Sequence, residues 1–238
     1  METEENLRIK WIEMLKNKKF MNNTINAVIT VRKGSSLKDK NIRPYKDGKN
    51  LLQICVEKAI KVFGSVTVLA DDEHYCDLAK SYGAEVPYLD EKVEGNEDVT
   101  VRLKRWRDRC GINGRIILLQ CTSPNITIES MEKMRDMSKD ADYVKIIMSV
   151  VEYNDVKYSA FMYYNENTNT LDQAMRNCPP ISRPRQELRP LYHYNGAMTS
   201  FACTQLDKTS LFDKAYFVPC FIGNDEGLDI DTLEQFNS

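Results

Sequence analysis

Apolar positions between residues 26 and 150 follow two alternating rhythms. Continuous runs at Ala27-Val28-Ile29-Thr30-Val31, at Val66-Thr67-Val68-Leu69-Ala70 and at Ile116-Ile117-Leu118-Leu119 behind Arg115 have the character of strands buried on both sides. Between them Leu51, Leu52, Cys55, Val56, Ala59 and Ile60 keep helical spacing over 50–63. Further helices are expected over 72–82, closed by Gly83, over 97–110 and over 127–138. A short strand near 85–88 and a strand over 142–150 complete the series. Strand–helix alternation of this kind predicts an α/β fold with a parallel sheet covered on both faces, its ligand crevice at the carboxyl ends of the strands.

The rhythm changes between 152 and 192. Tyrosines, the polar turn Asn165-Glu166-Asn167-Thr168-Asn169 and the proline-rich Cys178 to Pro190 predict an insertion of extended segments. Sheet character returns over 195–201 and 215–218, and a last helix is expected after Asp231. At the other end, Leu7, Trp11, Met14 and Leu15 form one stripe of an amphipathic helix over 5–20, with Ile12 at its border and Ile9 among the charges. That helix is expected to pack on the domain or on a partner subunit; acidic residues on its polar face argue against a membrane-surface role.

A chain of 238 residues suits one α/β domain with a smaller insertion. The net charge of −2 leaves no global footprint for nucleic acid or an anionic membrane, so an anionic ligand must be met locally. No apolar run approaches a membrane span and no signal-peptide core opens the chain, which is therefore expected in the cytoplasm. The seven cysteines are scattered and form no Cys-x-x-Cys pair, as reduced thiols used for packing would be. Two histidines give a histidine-based metal site or a Ser-His-Asp triad little to draw on.

Polar chemistry gathers where the predicted strands end. After Val31 the chain runs Arg32-Lys33-Gly34-Ser35-Ser36-Leu37-Lys38-Asp39-Lys40-Asn41-Ile42-Arg43-Pro44, a loop with five cationic side chains. Backbone N–H groups near a glycine with Arg and Lys beside them make a phosphate site; a solvated basic loop is the alternative. The loop is neither a Walker loop nor a Gly-x-Gly-x-x-Gly dinucleotide turn. Asp71-Asp72 and Gln120 to Ser123 follow strands two and three. Near the end of the chain, Asp229 and Asp231 lie two apart in an extended segment, so both carboxylates point to one side and can share a divalent cation; a capping role for Asp231 or Thr232 is the alternative.

In combination these pieces resemble the CMP-N-acylneuraminate synthetases, the cytidylyltransferases that activate sialic acids. The resemblance spans about residues 26 to 236 in order. It is carried by Arg32-Lys33-Gly34-Ser35 with Lys40-Asn41, by Leu118-Leu119-Gln120-Cys121-Thr122-Ser123-Pro124, by Arg183-Pro184-Arg185-Gln186-Glu187-Leu188, by Asn195-Gly196-Ala197 and by Asp229-Ile230-Asp231-Thr232. The Arg-Gln and Asn-Gly-Ala elements look more like the sialic-acid branch than the Kdo cytidylyltransferases of the same general fold.

The resemblance implies a Rossmann-like three-layer α/β/α nucleotide-diphospho-sugar transferase fold. Residues 25–151 and 193–238 would form the nucleotidyltransferase domain, 152–192 a dimerisation and sugar-binding insertion, and 1–24 an N-terminal extension. It implies that the anomeric hydroxyl of a nine-carbon 2-keto sugar acid attacks the α-phosphorus of CTP and expels pyrophosphate. Arg32 and Lys40, with backbone donors around Gly34 and Ser35, would hold the triphosphate, while Thr30, Val31, Asn41 and Thr100 would line the nucleotide site. Asp229 and Asp231 would bind Mg²⁺ or Mn²⁺. Gln120, Ser123 and Asn195 would contact the sugar, with Lys157, Arg185 and Gln186 facing its carboxylate and side chain and Tyr216-Phe217 as a paired aromatic nearby. The family's arrangement further implies a homodimer with composite sites.

The chain also departs from the family pattern. Its first loop is one residue short, with Ser36-Leu37 in place of a Lys-Gly pair. Leu89-Asp90-Glu91 stands where the family carries an arginine, Asn96-Glu97-Asp98 replaces a Ser-Asp-Thr triplet, and Asn125-Ile126 follow Pro124 in place of an arginine. These changes surround the expected nucleotide. They leave two alternatives open: a nucleotidyltransferase of the same fold with another sugar, Kdo-like or other, or another nucleotide, and a non-catalytic relative that binds nucleotide or sugar.

Overall fold

The computed structural model describes residues 24–33, 37–91, 97–153, 162–165, 170–173, 184, 190–208 and 215–237. The helix expected over 5–20 and the candidates Gly34, Ser35, Lys157, Arg185 and Gln186 lie outside the described residues.

In chain order the elements are β1 (Ile25–Val31), α1 (Leu51–Phe63), β2 (Thr67–Ala70), α2 (Glu73–Ser81), α3 (Val99–Cys110), β3 (Arg115–Leu119), α4 (Ile128–Lys139) and β4 (Lys145–Tyr153). They continue with β5 (Met162–Asn165), β6 (Thr170–Gln173), β7 (Leu191–Ala202), β8 (Tyr216–Phe221) and α5 (Leu233–Asn237). Six strands form one sheet in the order β2-β1-β3-β7-β4-β8, and β5 pairs with β6 in a separate antiparallel hairpin.

The side-chain alternation of β1 and β3 sorts the core into two layers. Ala27, Ile29 and Val31 with Ile117 and Leu119 face α1, α2 and α4, packing on Leu52, Val56, Ala59, Tyr75, Met131 and Met134. Val28, Ile116 and Leu118 face the other way, onto Leu103 and Trp106 of α3 and onto Cys203 and Leu206 of the short 3₁₀ turn after β7. Both strand faces are covered, which explains runs without a polar alternation. Side-chain caps fix the helix starts: Asn50 accepts from the Gln53 N–H, Asp72 from His74, Asp98 from Thr100 and Thr127 from Ser130.

Two expectations need correction. The sheet is mixed: β7 runs antiparallel to both β3 and β4, between which it is inserted, while β1, β2, β3, β4 and β8 share one direction. The segment near 85–88 makes only an isolated parallel bridge, Thr67 to Glu85, because Pro87 has no N–H with which to extend a ladder. Strand ends shift as well, since β4 and β7 stay paired from Val150–Tyr194 out to Tyr153–Leu191.

A third, smaller core explains where the last residues go. Leu51, Ile230 and Phe236 pack together, joined by Leu37, Tyr45 and Leu228, and this fastens the end of the chain onto the first loop and the start of α1.

Candidate active site

The carboxyl ends of β1, β2 and β3 and the beginning of the reversed β7 meet at one edge of the sheet. After β1, Lys33 donates its backbone N–H to Asp71 at 2.7 Å and its ammonium to Asp72 at 2.6 Å, tying the first loop to the end of β2. Lys40 is 5% exposed and donates to the Ile230 carbonyl at 2.8 Å and to Asp231 Oδ1 at 2.7 Å. Its neighbour Asn41 is also buried; its carbonyl accepts from Leu52, and its Oδ1 faces the Cys121 thiol at 3.5 Å. The Ile230 N–H donates to the Thr122 carbonyl at 2.8 Å. Lys40-Asn41, Cys121-Thr122 and Asp229 to Asp231 are therefore physically joined although distant in sequence.

Asp231 does not cap α5. The Thr232 hydroxyl accepts from the Gln235 N–H, and the Gln235 amide oxygen accepts from the backbone N–H groups of Asp231 and Thr232. That reciprocal cap leaves the Asp231 carboxylate facing Lys40. Asp229 is half-buried and its Oδ1 has no hydrogen-bond partner. Burial raises its pKa above the usual carboxylate value; a hydroxyl bond from Thr122 opposes the shift, the nearby Asp231 adds to it and Lys40 reduces it. An orphaned carboxylate oxygen beside a second acid fits a divalent cation. Mg²⁺ is commonly held by one or two carboxylates together with water and substrate oxygens.

On the β3–β7 side, Gln120 donates its backbone N–H to the Ala197 carbonyl at 3.0 Å. Its side chain lies over Gly196, 3.4 Å from where a Cβ would stand, and the φ of +76° at that position is what calls for glycine. Asn195 is buried: its Oδ1 accepts from the Ser149 hydroxyl at 2.6 Å and the Ala197 N–H at 3.2 Å, while its Nδ2 has no partner. Ser123 is 4% exposed and its hydroxyl is likewise unpartnered. Two buried polar groups without protein partners therefore stand where the loops of this edge meet, and groups of this kind are normally satisfied by water or a ligand.

Thr30 and Val31 end β1, and Arg32 reaches the start of α3, where it donates to the Glu97 carbonyl beside the half-buried Thr100. The structure thus brings Thr30, Val31, Arg32, Lys40, Asn41, Thr100, Gln120, Ser123, Asn195, Asp229 and Asp231 to one edge. It does not bring Tyr216 and Phe217 there. They open β8 opposite Lys145 and Ile146, the first residues of β4, which places them at the amino edge of the sheet because β8 runs parallel to β4. Residues not singled out from the sequence also occupy the site edge. Asp90, Arg102 and Arg105 form an ion-pair cluster beneath Arg32, and Tyr192 packs edge-on against Phe221 with ring centroids 4.9 Å apart. The sequence offered no distinct signal for the first group, whose buried arginine reads as one more charge on a charged helix.

A family described as Cytidylyltransferase matches residues 26–214, which is most of the chain. The chain belongs to this cytidylyltransferase family. Solved structures with the same fold include a CMP:2-keto-3-deoxy-manno-octonic acid synthetase complexed with CTP, at 18% identity and TM-score 0.63 over 88% of this chain and 93% of that one. The 4-diphosphocytidyl-2C-methyl-D-erythritol synthase of Anaerococcus prevotii DSM 20548 is similar at 14% identity and TM-score 0.59, over 94% and 95% of the two chains. A cytidylyltransferase from Leptospira borgpetersenii serovar Hardjo-bovis (strain JB197) follows at 15% identity and TM-score 0.53, over 89% and 83%. No curated protein matches the sequence significantly. Cytidylyltransferase membership agrees with the mixed six-stranded sheet, and no helix among the described residues is long and apolar enough to cross a membrane.

Proposed function

We propose that this cytidylyltransferase joins CMP from CTP to the anomeric hydroxyl of a sialic-acid-like nine-carbon 2-keto sugar acid. The convergence of Lys40, Asn41, Asp229 and Asp231 at one rim carries the reading. The hydroxyl oxygen attacks the α-phosphorus, the bond to the β-phosphate oxygen breaks, pyrophosphate leaves and the hydroxyl proton passes to solvent. Such a transfer asks the protein for positioning and charge neutralisation rather than covalent help. Arg32 and Lys40 neutralise and align the triphosphate, with Gly34 and Ser35 in the same loop. Asn41 and Thr100 contact the nucleoside. Gln120, Ser123 and Asn195 orient the acceptor, and Lys157, Arg185 and Gln186 face its carboxylate and side chain. Asp229 and Asp231 hold Mg²⁺ or Mn²⁺, which when bound offsets phosphate charge and eases loss of the hydroxyl proton. The same reading makes residues 152–192 the segment that reaches a second subunit in a homodimer, and places the enzyme in the cytoplasm.

A Kdo-like acceptor is the second reading, favoured by the likeness to the 2-keto-3-deoxy-manno-octonic acid synthetase. Pyrophosphate release with CTP and Mg²⁺, measured across N-acetylneuraminic, legionaminic, pseudaminic and Kdo acids, separates the two. Release with a nine-carbon acid and not with Kdo is expected. Release with Kdo alone replaces the first reading by the second, and release with none of them by folded protein overturns both.

A further inference from the structure

Four charged side chains outside the sequence-derived candidates close a circuit around Arg32. Arg102 is 3% exposed and donates to the Leu69 carbonyl at 2.9 Å and the Val31 carbonyl at 3.4 Å, at the ends of β2 and β1. It pairs with Asp90, itself 2% exposed, whose other oxygen takes Arg105 at 2.6 Å. Arg105 also pairs with the Glu97 carboxylate, and the Glu97 backbone carbonyl accepts from the Arg32 guanidinium. The path leaves from the carbonyl that precedes Arg32 and returns to the side chain of Arg32. Asp90 and Glu97 stand in two of the segments where this chain departs from the sialic-acid synthetase pattern.

The charges decide what such a circuit can do. Two carboxylates and two guanidinium groups cancel, so the buried cluster adds no net charge next to the crevice. Arg32 is held by a carbonyl rather than by a carboxylate, so its positive charge is not cancelled by that contact. A long arginine side chain carries about 2 kcal/mol of rotamer entropy, and fixing it beforehand removes that cost from ligand binding.

We propose that Asp90, Arg102, Arg105 and Glu97 are positioning residues that hold Arg32 ready for the triphosphate of CTP, an inference that rests on the function proposed above. They act through Arg32 and touch no reacting atom. The competing role is a clamp that merely fastens α3 to the sheet.

A double-mutant cycle distinguishes the roles, with CTP affinity measured by calorimetry in the absence of any sugar acid. Arg105→Gln is expected to weaken CTP binding about tenfold in the native background and less than about twofold when Arg32→Gln is already present. In turnover, the KM for CTP should rise by a similar factor while kcat changes little. Glu97→Gln removes a less buried partner, folds with less disturbance and should show the same coupling to Arg32 on a smaller scale. Equal losses in both backgrounds, or lowered melting temperature with unchanged CTP affinity, overturn the positioning role and leave the proposed function standing. Native protein that does not bind CTP overturns the proposed function and this inference together.

Discussion

The ammonium of Lys40 lies 2.7 Å from Oδ1 of Asp231, and the lysine side chain is 6% exposed while that of the aspartate is 63% exposed. The pair is asymmetric in exposure: removing the acid leaves the buried cation with the Ile230 carbonyl as its neutral partner, whereas removing the lysine orphans that buried carbonyl and leaves a carboxylate that water can reach. Asp231→Asn, which keeps an amide oxygen, and Lys40→Met, which keeps the length and apolar stem, are each expected to destabilise the fold by about 1–3 kcal/mol. Urea unfolding measures both. Both variants should lose most cytidylyltransferase activity, so a ranking by stability that differs from the ranking by activity separates structure from chemistry.

Asp229 gives a pH dependence with a definite sign. Its folded pKa lies above the unfolded value, first because it is buried and further because Asp231 is near. Its contribution to stability is thus fully present below about pH 3.9 and is lost as pH rises through the folded value, leaving a penalty at neutral pH. Metal-free Asp229→Asn should melt at a higher temperature than the native protein at pH 7, and the difference should vanish near pH 3. Mn²⁺ should raise the melting temperature of the native protein at pH 7 and leave the variant unmoved. Differential scanning fluorimetry at the two pH values, with and without metal, provides the comparison.

Gly227 passes closely between the site and the sheet. A Cβ there would stand 2.7 Å from Val151 Cγ1 and 3.3 Å from the unpartnered Asn195 Nδ2. Gly227→Ala should therefore cost about 1–3 kcal/mol of stability through overpacking and displace Asn195. Steady-state kinetics should show a raised KM for the acceptor with little change for CTP, and Asn195→Ala should share that signature.

Cys121 is buried where the loops of the site join. Burial pushes its thiol up to about 12, partly offset by Lys40. A thiol reagent at neutral pH is expected to modify the exposed Cys110 and to spare Cys121 until the protein unfolds, as peptide mapping after labelling would record.

The parts of the site that were legible in the sequence are those fixed by position relative to a strand end. Arg32, Lys40, Asn41, Gln120 and Ser123 follow unmistakable apolar runs, and Asp229-x-Asp231 combines with them only because its neighbours Leu228 and Ile230 are apolar enough to anchor the segment. The direction of β7 was not legible, since alternation along 195–201 says which face a side chain takes and nothing about which way the strand runs. Tyr216 and Phe217 were expected near the acceptor from the family likeness alone, and they open β8 at the amino edge of the sheet. The ring of Asp90, Arg102, Arg105 and Glu97 was hidden because α3 reads as a charged amphipathic helix. Only Leu103 and Trp106 mark its core side, and a buried arginine looks in sequence like a solvated one.

The place of β7 has a consequence for how the molecule can fail. Its neighbours β3 and β4 do not pair with each other, so any partly folded form lacking residues 191–202 between them would carry two sheet fragments, each with a bare hydrogen-bonding flank. Unpaired flanks invite other chains, which makes aggregation during refolding or heating a race against the insertion of a single strand. Refolding yield should accordingly fall steeply with protein concentration, and substitutions that weaken the grip of Phe201 or Met198 should worsen it more than equally buried changes on β2.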